Sequence, residues 1–144
     1  MASYQSLQDL LNRALKWEKE LLSFYDVAKI GLGDEKSKNL VTRLEAQQGR
    51  NLEILRDIDV EKYGPNEWVR FSIEYHDEQL IPKKSVKRDS KPEEIVTAIL
   101  DYENKLKKYY ETIHNSVVSD SQKELFASLV QFRDRQIEQL HAFL

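Results

Sequence analysis

The chain has 144 residues, of which 33% are charged, and Lys and Arg so nearly balance Asp and Glu that the net charge is −3. That length supports one domain with its own core, and the charge balance argues against a dedicated nucleic-acid binder, which needs a basic excess. The absence of cysteine excludes a disulfide framework, a thiolate nucleophile and Cys-based metal sites; with no signal-like N-terminus and no apolar run of spanning length, the expectation is a cytoplasmic protein with no membrane partner.

In chain order, the first helical pattern runs from about Tyr4 to Ile30 on Leu7, Leu11, Ala14, Leu21, Tyr25 and Ala28, the three-, four- and seven-residue spacing of one helix face. Gly31-Leu32-Gly33 ends it, and Asp34 is a ready N-cap for the next helix. The second pattern reaches about Ile58 on Leu40, Leu44, Leu52 and Leu55. All three prolines, Pro65, Pro82 and Pro92, fall in the stretch that follows. Within it, residues 69–75 alternate apolar and polar, which reads as a short strand, with a short helix from Pro65 as the competing reading. A strand there needs a partner, and its copy across a dimer axis would supply one. The third pattern opens at Ser90-Lys91-Pro92-Glu93, read as a capping box with Pro in the first turn, and continues to about Ser116 on Val96, Ile99, Leu106, Tyr110 and Ile113. The fourth opens near Ser119 or Ser121, the latter forming a capping box with Glu124, and uses Leu125, Leu129, Ile137 and Leu140.

Short links join the first helix to the second and the third to the fourth, so each pair is expected to be an antiparallel hairpin. The long middle connection can cross the length of a bundle. The predicted fold is therefore all-α: a single four-helix domain with hairpins at about 4–58 and 90–144 and one crossover at 59–89. The hairpins read as a duplication. At an offset of 85, Leu15, Glu18, Leu21, Tyr25, Lys38 and Arg50 recur as Leu100, Glu103, Leu106, Tyr110, Lys123 and Arg135. Amphipathic patterning explains the leucines but not the repeated Glu and Tyr.

Each helix turns polar on its apolar stripe near mid-length. Glu18 does so in the first, Gln48 and Asn51 in the second, Glu103 in the third, and Arg133 and Gln136 in the fourth. A charge on such a face is costly unless something inside the fold answers it.

The segments ALKWEKELLSFYDVAKI and ILDYENKLKKYYETI, with a Glu followed seven residues later by Tyr, resemble the first- and third-helix patterns of the rubrerythrin branch of the ferritin-like superfamily. The resemblance covers both hairpins and leaves the crossover aside. It implies a four-helix bundle in which two helices each give one Glu and the other two each give Glu-x-x-His, around two iron or manganese ions. Glu18 and Glu103 stand where the single glutamates stand. Gln48 and Asn51, and Arg133 and Gln136, stand where both Glu-x-x-His motifs should be, so the site is degenerate. No catalytic residue and no cofactor are then expected.

Electrostatics sets what replaces the metals. Unit charges 4 Å apart at an effective dielectric near 20 interact by about 4 kcal/mol, so a fixed cation at Arg133 opposes divalent ions and favours two buried glutamates. Arg133 is expected to pair with Glu18, Glu103 or both, with Gln48, Asn51 and Gln136 filling the remaining hydrogen-bond positions. For Tyr25 and Tyr110 two readings are open: donors to the carboxylates, or core rings with a wet hydroxyl.

The expected function is that of a non-catalytic structural or partner-binding protein. The alternative is an iron- or manganese-binding oxidoreductase or storage protein that keeps Glu18 and Glu103 as ligands. A homodimer through the crossover aromatics Trp68, Phe71 and Tyr75 is expected. His76, His114 and His141 show no ligand-spaced pair, and the basic run 83–88 reads as a solvated loop.

Overall fold

The computed structural model describes residues 3–63, 68–71 and 91–143. Among them, four long helices form a bundle: α1 (Leu7–Gly31), α2 (Glu35–Arg56), α3 (Pro92–Ser116) and α4 (Asp120–Phe143). A short antiparallel ribbon joins β1 (Ser3–Ser6) to β2 (Trp68–Phe71), and a single 3-10 turn follows α2 at Val60–Tyr63.

Helix α1 begins three residues later than its apolar spacing predicts. Ser6 Oγ accepts from the Asp9 backbone N–H at 3.1 Å, satisfying one of the donors a helix start leaves open, and the residues before it are extended. Those residues pair with β2 in the register Ser3↔Phe71, Tyr4↔Arg70, Gln5↔Val69 and Ser6↔Trp68. The strand expected in the crossover therefore exists, over 68–71, and takes its partner from the N-terminus of its own chain. No second copy is needed to satisfy that edge. Tyr75 lies outside the described residues.

Asp34 caps α2 as expected: its carboxylate accepts from Ser37 N at 3.0 Å and Ser37 Oγ at 2.7 Å. The hydroxyl bond holds that carboxyl below the usual aspartate range, with the backbone bond adding to it. At α3 the expected capping box is displaced. The N-cap is Lys91, with no side-chain cap bond, and Pro92 stands at the first helical position, where its missing N–H and fixed φ cost nothing. Helix α4 starts at Asp120, so Ser121 lies inside it; Ser119 instead donates to the Tyr63 carbonyl at 3.1 Å, tying the 3-10 turn to the α3–α4 link.

Tyrosine hydroxyls fix the direction of α1 against α3. Tyr102 donates to the Trp17 carbonyl at 2.6 Å and Tyr109 to the Leu10 carbonyl at 2.7 Å. Seven residues forward on α3 correspond to seven backward on α1, so the two run antiparallel. Helix α3 thus starts at the end of the bundle opposite to where α2 finishes. The 25 residues of α1 correspond to roughly 37 Å, the length that the crossover bridges. Between α1 and α3, the Trp17 ring meets Tyr109 edge-on at 4.8 Å, and within α3 Tyr109 contacts Tyr110 at 6.0 Å, both within the range where edge-to-face aromatic pairs add to burial.

Candidate functional site: a buried guanidinium between two glutamates

Glu18, Glu103 and Arg133 are each 0% exposed. They come from α1, α3 and α4, whose apolar stripes all point at the bundle axis, so each polar side chain enters a space closed by Leu, Tyr and Trp. Arg133 spans the two carboxylates. Its Nη1 donates to both oxygens of Glu103 at 2.9 Å, and its Nη2 donates to Glu18 Oε2 at 2.7 Å and to Gln48 Oε1 at 3.1 Å. The guanidinium stands 4.7 Å from the Phe132 ring centroid, a cation–π distance. Its Nε finds no acceptor among the described residues, an omission that costs about 1–3 kcal/mol.

Glu18 gathers donors from the three other helices. Besides Arg133 from α4, Gln48 Nε2 on α2 donates to its Oε2 and also to its backbone carbonyl at 2.9 Å. Asn51 Nδ2 reaches Oε2 at 3.4 Å, and Tyr110 from α3 donates to Oε1 at 2.7 Å. Among the described residues, Glu103 receives only Arg133 and the Tyr25 hydroxyl, the latter at 3.3 Å. The tyrosines are donors to the carboxylates, and they cross: Tyr25 on α1 serves the glutamate of α3, and Tyr110 on α3 serves that of α1. Gln136 is buried, but among the described residues it makes no hydrogen bond to this network; it corrects the expectation that all three amides would fill it.

Two carboxylates against one guanidinium leave a surplus negative charge in a closed core. The Glu103 carboxyl is pushed above the usual range by burial, with Glu18 adding to the push while Arg133 and Tyr25 oppose it. For Arg133, burial alone pulls downward, but Glu103 and Glu18 together outweigh it and hold the guanidinium protonated. Tyr25 and Tyr110 are raised well above a free phenol, first by burial and then by the carboxylate each faces.

This donor set does not suit a pair of divalent ions. It offers two carboxylates, neutral amides and a fixed cation in bonding contact with both acids. No group of three or more His, Cys, Asp or Glu converges anywhere among the described residues. His114 contacts its neighbour Asn115 at 3.2 Å, His141 is exposed in the last turn of α4, and His76 and the basic run 83–88 lie outside the described residues. What the arrangement does chemically is hold four helices through a network of charge-assisted bonds that water does not reach.

Sequence reasoning placed six residues at this level and missed three that complete it. Phe132 beneath the guanidinium and the tethers Tyr102 and Tyr109 carry no polar interruption of the stripe, the signal that singled out the others. Contacts within and between the two hairpins recur at equal sequence separations. Glu18 meets Gln48 and Glu103 meets Arg133, each 30 residues apart. Trp17 meets Tyr102 and Gln48 meets Arg133, each 85 apart.

Comparison with family models, with curated proteins and with solved structures returns no match.

Proposed function

We propose that this chain is a ferritin-like, rubrerythrin-like bundle built from two duplicated hairpins, in which a guanidinium has taken the place of the metal pair, and that it acts as a non-catalytic structural or partner-binding protein. The observation that carries this reading is Arg133 bonded to both Glu18 and Glu103 in the closed core. The repeated 30- and 85-residue contact separations support the duplication. A buried ion pair of this kind is retained at a cost in desolvation, which fits a role in fixing helix register rather than in turnover.

The test is metal content after expression in medium supplemented with iron and manganese. The expected result is no stoichiometric metal in the wild-type chain. The variant Gln48→Glu, Asn51→His, Arg133→Glu, Gln136→His, which restores two Glu-x-x-His motifs beside Glu18 and Glu103, is expected to bind two divalent ions. Stoichiometric metal in the wild type that disappears in a Glu18→Ala, Glu103→Ala double variant would instead establish a metal-binding oxidoreductase or storage protein.

A further inference from the structure

We draw no further inference here: the strongest candidate, the exposed aliphatic patch of Val27 and Ile30 beside the α1–α2 groove, carries nothing, because Lys29 already pairs with Glu45 across that seam and nothing in the structure shows what covers the face.

Discussion

Glu18 and Glu103 both pair with Arg133, yet their surroundings give them different chemical duties. Glu18 meets donors from Arg133, Gln48, Asn51 and Tyr110, so each side-chain bond its carboxyl makes among the described residues is one it accepts. An amide there would set donor against donor, so Glu18→Gln is expected to cost about 3–5 kcal/mol in urea unfolding, as for a broken buried pair. Glu103 has fewer donors and a carboxyl raised chiefly by burial, so Glu103→Gln is expected to cost less. The pH sign follows from a folded value above the unfolded one. The stability tied to Glu103 is complete below the unfolded value and is lost as pH rises through the folded value. The stability gap between wild type and Glu103→Gln should therefore narrow as pH rises through the carboxylate range and beyond. Arg133→Met leaves both acids without their cation and is expected to lose about 3–5 kcal/mol, whereas Glu18→Leu, Glu103→Leu, Arg133→Met together should recover much of it, since apolar replacement of an entire buried ion cluster is often neutral or better. Equilibrium unfolding of the single and triple variants checks both. These residues were legible because a charge interrupting an apolar period is visible along one dimension. The crossing of Tyr25 and Tyr110 was not, because it depends on how α1 and α3 pass each other. Gln136 shares a face with Arg133, but helix rotation, which spacing does not encode, leaves it out of the network.

At the scale of elements, the helices were largely written in their stripes, and their starts were written in local chemistry of uneven strength. Asp34 is the clearest case, with a side chain that answers both the backbone and the hydroxyl of Ser37. Asp34→Ala is expected to lower the thermal midpoint by a few degrees. Because the folded carboxyl lies below its ordinary range, the contribution is present above the unfolded value and is lost as pH falls through the folded one; melting curves of both chains should converge in acid. Ser90 misled because the capping-box spacing to Glu93 was formally correct, while Pro92 fits the first helical position and moves the cap to Lys91. The N-terminal strand was illegible for another reason. Its partner is more than sixty residues away at Trp68–Phe71, and four residues hold too little pattern to announce a long-range pairing.

For the whole molecule, cohesion between the hairpins is concentrated where α1 crosses α3. Four tyrosine hydroxyls span that crossing, two to backbone carbonyls and two to the opposing glutamates. Tyr110→Phe, losing a 2.7 Å bond to Glu18, should cost about 1.5–3 kcal/mol. Tyr25→Phe, losing a 3.3 Å bond, should cost less. Because both carboxylates share Arg133, the double variant should depart from additivity by about 0.5 kcal/mol or more, which a double-mutant cycle in urea measures. The contact between Gln48 and Arg133 carries a consequence of another kind. Two identical hairpins associating as separate chains would obey strict two-fold symmetry and place the same residue on both sides of that contact: two guanidiniums repelling each other, or two amides leaving both glutamates without a cation. One cation serving two anions has no such symmetry, and it requires two hairpins of different sequence. The sequence difference between the hairpins thus lets the centre of the molecule hold an odd charge, Arg133 against Glu18 and Glu103, that two symmetry-related copies of either hairpin could not hold.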